Sequence, residues 1–201
     1  MDFLGLKTAV NSSYSARTDI PAHIYEIVLA EFNRDLRTVD MFETATITAD
    51  AEYEALPADF LEAISLHLSI GGARYRLQVM GADALNYNRP ESGVPRLFAI
   101  TGDGLKLHPT PDAEYTLTLE YYEKIAALSG DTDTNVILAR YPELYLYTSL
   151  KHVSAWAKDP EALATYSALA GEAKRQVDMM ERKRRLPGPM RMRPAVEMRA
   201  R

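Results

Sequence analysis

Ile24, Ile27, Val28, Phe32 and Leu36 recur at intervals of three and four, the spacing that turns one side of a helix toward a core. Asp19 is placed to cap that helix and Pro21 to lie in its first turn. Residues 1–19, ahead of it, are mostly small and polar and read as a loosely held segment. From Met41 the period changes to two: Thr44, Thr46 and Thr48 alternate with Ala45, Ile47 and Ala49, a strand pattern. Pro57–Phe60 interrupts the chain, in a shape suited to one helical turn. Ile64, Leu66, Leu68 and Ile70 then alternate up to Gly71-Gly72, and Tyr75, Leu77 and Val79 alternate beyond it, which predicts a hairpin.

Residues 81–86 suit a short helix. A second hairpin follows, Leu97–Ile100 and Leu105–Leu107 around Thr101-Gly102-Asp103-Gly104, and then a longer strand from Tyr115 to about Glu123 with Tyr115, Leu117, Leu119 and Tyr121 on one face. Short turns without helical crossovers give this region an antiparallel character. The last third returns to helix. Pro142 opens one, with Leu146, Leu150, Val153 and Ala157 as its stripe. Asp159-Pro160 restarts a second, with Leu163, Tyr166, Ala170, Ala173, Val177 and Met180 as its stripe, running to about Arg184.

The expected class is therefore α+β: a helical hairpin or bundle with an antiparallel β-rich insertion. The expected division is an N-terminal segment and helix over 1–40, a β-rich region over 41–125, a loop and helical hairpin over 126–185 packing on the first helix, and an extended basic C-terminal arm over 186–201. Leu186-Pro187-Gly188-Pro189 cannot continue a helix, because proline lacks the amide donor and clashes with the preceding turn.

Composition narrows the function. In 201 residues there is no cysteine, which excludes disulfides, cysteine-ligated metal and thiol chemistry. No apolar run reaches the roughly 18 residues of a membrane span and no secretory leader pattern is evident, which points to a soluble chain made in a cytoplasm. Net charge is −5, unevenly spread: eight of the 23 basic residues and one of the 28 acidic residues fall from Arg182 onward, leaving 15 against 27 before it. An acidic body with a basic tail speaks of partners rather than of fold.

Catalytic constellations are not evident. His23, His67, His108 and His152 fall on four separate elements, without a second histidine one helical turn away. Thr101-Gly102-Asp103-Gly104 precedes a strand, whereas a phosphate-cradling loop leads into a helix. Asp131-Thr132-Asp133-Thr134-Asn135 begins like a calcium loop but has Val136 where the glycine belongs and Pro142 where the final glutamate belongs. No cofactor and no metal are expected, and the chain is not expected to be an enzyme. Tyr121, Tyr122, Tyr141, Tyr145 and Tyr147 gather where sheet and helices meet, and suit either a core with a wet rim or an interface. In the tail, Arg184, Arg185, Arg191 and Arg193 can fork onto carboxylates, Met190 and Met192 can fill shallow apolar hollows, and Pro187 keeps the arm extended.

Several phrases resemble tailed-phage head–tail adaptor proteins over about residues 20–185: Leu56-Pro57-Ala58-Asp59-Phe60-Leu61, Gly81-Ala82-Asp83-Ala84-Leu85, Pro95–Ile100, Gly102–Pro111, Tyr115–Tyr122 and Tyr141–Tyr147. The resemblance implies a structural virion protein at the head–tail junction, one that forms a ring, commonly dodecameric, beneath the portal protein. It also implies contact with tail proteins of the nozzle or stopper kind, DNA passing through the channel without specific binding, and an arm on the portal. Arg184, Arg185, Pro187, Met190, Arg191, Met192 and Arg193 would form that arm, and Tyr141, Tyr145 and Tyr147 the subunit interface. The other reading is a small cytoplasmic nucleic-acid-binding protein using the basic tail, which leaves the acidic body unexplained.

Overall fold

The computed structural model describes residues 1–14, 19–86, 91–102 and 104–186. The expected arm beyond Leu186 lies outside the described residues. The chain is α+β and divides into two compact units, Met1–Val28 with Leu128 onward, and Leu29–Ala127.

The first unit is helical. The N-terminal segment is not loose: Phe3–Ser13 forms α1, capped by Asp2, whose Oδ1 accepts from Gly5 N at 2.8 Å. Phe3, Leu6, Val10 and Tyr14 are buried along one side, four apolar positions that the small and polar residues between them obscure. The first amides of α1 are satisfied by the loop ahead of the later helices, with Phe3 and Leu4 donating to the carbonyls of Asp133 and Asp131 at 2.9 Å each. α2, His23–Asp35, crosses the boundary between the units, and in its first half Ile24, Tyr25 and Val28 are buried while Ile27 is exposed. Asn135 caps the short α4, Val136–Arg140, which the sequence pattern had not indicated. α5, Pro142–Trp156, packs on α1, α4 and α6, and α6 runs from Pro160 to Arg185 with Asp159 as its cap, at 3.0 Å from Ala162 N. Between α5 and α6, Lys158 adopts a positive φ of 56°. There Lys158 N and Asp159 N donate to the carbonyls of Ala155 and Ser154, which closes α5 in a Schellman turn.

The second unit holds two four-stranded sheets around one core. The first has the order β1–β8–β3–β4, where β1 is Phe42–Ala49, β3 Phe60–Ile70, β4 Ala73–Arg76 and β8 Tyr115–Glu123, with every pair antiparallel. The second has the order β2–β7–β6–β5, where β2 is Tyr53–Glu54, β5 Gln78–Val79, β6 Leu97–Thr101 and β7 Gly104–His108. The short helix α3, Ala82–Asn86, lies between β5 and β6 in the chain. Leu66, Leu68, Leu117 and Leu119 of the first sheet meet Phe98, Leu105 and Leu107 of the second, the sandwich solution for two half-apolar sheets. The unit is not wholly antiparallel, since β5 pairs parallel with β6. The reason lies at Leu77. After the Gly71-Gly72 turn, with φ of 57° and 81°, the chain pairs with β3 through Arg76, turns Leu77 into the core and passes into the other sheet. Tyr75 and Val79, expected on one packed face with Leu77, are exposed on either side of that crossing.

A register shift between Ala63 and Ser65 moves the alternation of β3, so that Ser65 is buried along with Leu66 and Leu68, while Ile70 is exposed at the hairpin end. Pro57–Phe60 is a turn rather than a helical turn. Gly104, with φ 129°, brings β7 against β2 so closely that a Cβ there would lie 2.4 Å from the Glu54 carbonyl oxygen.

Candidate assembly site

Among the described residues, those with functional expectations lie on α5, on the turn before it and on α6. Down the buried side of α6 run Ala170, Ala173, Val177 and Glu181. Small residues let neighbouring backbones approach closely. The fourth member of the stripe is a carboxylate, not the expected Met180, which is 52% exposed. A glutamate 5% exposed must find partners, because an isolated buried charge is costly. Tyr141, in the turn between α4 and α5, donates its phenol proton to Glu181 Oε1, and Arg184 Nη1 stands 2.7 Å from the same oxygen. Burial and then the Glu181 hydrogen bond push the Tyr141 phenol up from its ordinary range. Beside this cluster a groove of about 220 Å³ is lined by Tyr141, Pro142, Leu144, Ala173, Val177 and Met180.

The three expected interface tyrosines are placed differently from one another. Tyr145 is buried within its own unit, 1% exposed, and its hydroxyl bonds Asn135, with burial pushing the phenol up to about 12. Tyr141 is buried in the Glu181 cluster, and Tyr147 is half-buried. Of the arm residues, Arg184 is engaged by Glu181 and Arg185 is exposed. Pro187, Met190, Arg191, Met192 and Arg193 lie outside the described residues. Arg182, Lys183 and Arg185 are exposed in the last turn of α6, where cations complement the helix dipole.

Two other clusters test for chemistry. On the outer face of the first sheet, Ser65 Oγ donates to Glu120 Oε2 at 2.5 Å and lies 2.9 Å from His67 Nε2. With its proton given to a carboxylate, the hydroxyl can only accept from the imidazole, so His67 holds a proton on Nε2 and cannot serve as the serine's base. Arg74 Nη2 stands 3.9 Å from the other oxygen of Glu120. The arrangement ties three strands together. In the 129–133 loop, Asp133 Oδ2 accepts from Gly130 N, Ser129 N and Ser129 Oγ at 2.7, 2.9 and 3.0 Å, which holds its carboxyl below the usual range. Asp131 pairs with Lys7. These carboxylates are occupied by their own chain, and among the described residues no group of three or more His, Asp or Glu side chains could hold a metal ion.

Ser65, His67 and Glu120 could have been grouped from β3 and β8 only with their register in hand. Glu181 was within reach of the sequence, lying four residues past Val177 on the same helical side.

A family model described as SU10 adaptor protein matches residues 1–193. The chain belongs to this family, a phage head–tail adaptor family. The match includes α1, which the resemblance over residues 20–185 had left out. No curated protein matches the chain. The family is one of structural virion proteins, and among the described residues no helix is long and apolar enough to cross a membrane.

Proposed function

We propose that the protein forms a ring, dodecameric as in comparable adaptors, beneath the portal and connects capsid to tail for DNA passage. The observation that carries this is the family match over nearly the whole chain. The charge distribution supports it. A conduit should repel the phosphates that pass through it, and the residues before 182 carry a net −12. The partners are the portal on one side, tail proteins of the nozzle or stopper kind on the other, and further copies of the chain around the ring.

Within this reading the basic segment from Arg182 onward docks on the portal, with Arg185, Arg191 and Arg193 on carboxylates, Met190 and Met192 in apolar hollows, and Pro187 holding the path extended. Arg184 anchors the base of this segment through Glu181. Tyr147, and the groove beside Tyr141, belong to the surface offered to other subunits, while Tyr145 supports that surface from inside. The four blocks 1–40, 41–125, 126–185 and 186–201 then serve as entry helix, tail-facing β region, ring-forming helices and portal-binding arm.

Electron microscopy of the purified chain, alone and mixed with portal, tests the reading. A ring seated coaxially on the portal is the expected image. Monodisperse monomers that leave the portal undecorated would refute it.

A further inference from the structure

We propose that the two open ends of the first sheet pair with each other between neighbouring copies, β4 of one subunit alongside β1 of the next, so that the sheet continues from subunit to subunit. This rests on the ring reading above and names the contact that would close it.

Sheet order leaves β1 and β4 as the two outer strands. Along an edge strand, every second residue points its N–H and C=O away from the sheet. The phase on β1 is fixed by Thr44, whose N–H is bound at 3.0 Å by the carboxylate of the preceding Glu43 rather than by a strand. Phe42, Thr44, Thr46 and Thr48 therefore face outward, and their side chains are exposed. On β4 the two-residue turn pairs Ile70 with Ala73, and Leu77 N donates to Leu66 O at 2.9 Å, so Ala73, Tyr75 and Leu77 face β3 while Arg74 and Arg76 face outward. β1 is eight residues long with no proline, lysine or bulge, the devices that commonly protect an edge.

Direction and side chains match as well. With four antiparallel strands, β4 runs opposite to β1, so a copy placed head to tail continues the antiparallel alternation. Tyr75 lies opposite Leu68 on the core side of the sheet yet is 56% exposed, because among the described residues no strand pairs with β4 on that side. Ala45 and Ile47 are the half-buried core-side residues of β1. Setting β1 beside β4 lets Tyr75 cover Ala45 and Ile47 and extends one apolar face across the joint. On the other face, Thr44 lies opposite Glu120 of β8. A register with Arg76 opposite Thr44 lets the arginine reach over a threonine toward that carboxylate, and it sets Arg74 opposite Thr46 and Tyr75 opposite Ala45. Two different patches meeting head to tail make a heterologous contact, the kind that closes rings.

The chain contains no cysteine, which permits a direct test with T46C and R74C combined in the full chain. Within one copy those positions lie three strand spacings apart, about 14 Å, beyond the ~7 Å that a disulfide spans between Cα atoms. Any disulfide therefore joins two copies. Oxidation of the assembled double variant should give a ladder of linked chains on a non-reducing gel, absent from either single variant. Thr46→Pro, which removes an outward N–H at an edge position that tolerates proline, should leave the melting curve in place and weaken assembly at least tenfold. Rings in native mass spectrometry without cross-links, or a Thr46→Pro chain assembling as well as wild type, would overturn the edge pairing and leave the ring standing. A chain that stays monomeric even with portal removes the ring and this inference with it.

Discussion

Tyr25 and Tyr145 are both buried in the helical unit, and each phenol is pushed up to about 12, in both chiefly by burial, with Tyr145 also acting on Tyr25. In the unfolded chain they ionise near the ordinary value of about 10. The stabilising difference is therefore complete below pH 10 and disappears as pH rises toward 12, because the unfolded chain releases these protons first. Each phenol accounts for at most about 3 kcal/mol of that loss. Urea unfolding between pH 9 and 11 should show stability falling, with a shallower fall in Tyr145→Phe. At Glu181, Tyr141→Phe removes one of two named partners from a buried carboxylate and should cost about 1–3 kcal/mol by denaturant unfolding. Glu181 shows how a single polar residue is lost in a helical period. Met180 continues the apolar stripe by composition, while the observed turn of α6 buries the next residue instead.

Among the elements, Asp159-Pro160 marks the start of α6 and the alternation of Tyr115–Glu123 marks β8, because a cap and a strict period are local signals. Elements set by partners were not legible. β2 is two residues held by β7, α4 is a single turn and a half held by the Asn135 cap, and the passage at Leu77 keeps the same alternation while the neighbouring strand changes. α5 offers a graded test. Leu150 is fully buried, whereas Leu163, on the expected stripe of α6, is only half-buried. Leu150→Ala should cost about 2–5 kcal/mol, and Leu163→Ala clearly less, by thermal or urea unfolding. Between these helices Lys158 holds a left-handed conformation that costs a side-chain-bearing residue about 1–2 kcal/mol. Lys158→Gly removes that cost at some price in unfolded-state entropy, for a net gain of about 0.5–1 kcal/mol, read as a higher melting temperature.

At the scale of the whole molecule, the described core ends before the basic segment does. Val177 and Glu181 are the last buried residues of α6, and Leu186 is exposed. Deleting 186–201 should therefore leave unfolding unchanged while abolishing co-sedimentation with portal, and replacing Arg185, Arg191 and Arg193 by glutamine should reduce both the binding and its salt dependence. The acidic body, the basic end and the α+β class were readable from composition and period, and the helical unit is built from two distant stretches of chain. The β unit is one continuous stretch, Leu29–Ala127, and near its ends Asn33 Oδ1 accepts from Ile125 N at 2.9 Å. This arrangement sets an order of events during synthesis. The β unit is complete on the ribosome before most of the helical unit has emerged, and once folded it already holds its two ends together. Closing a floppy loop of about a hundred residues costs about 4 kcal/mol in chain entropy. By removing that cost before α5 and α6 exist, the inserted sandwich acts as the nucleation step for the helices that follow it.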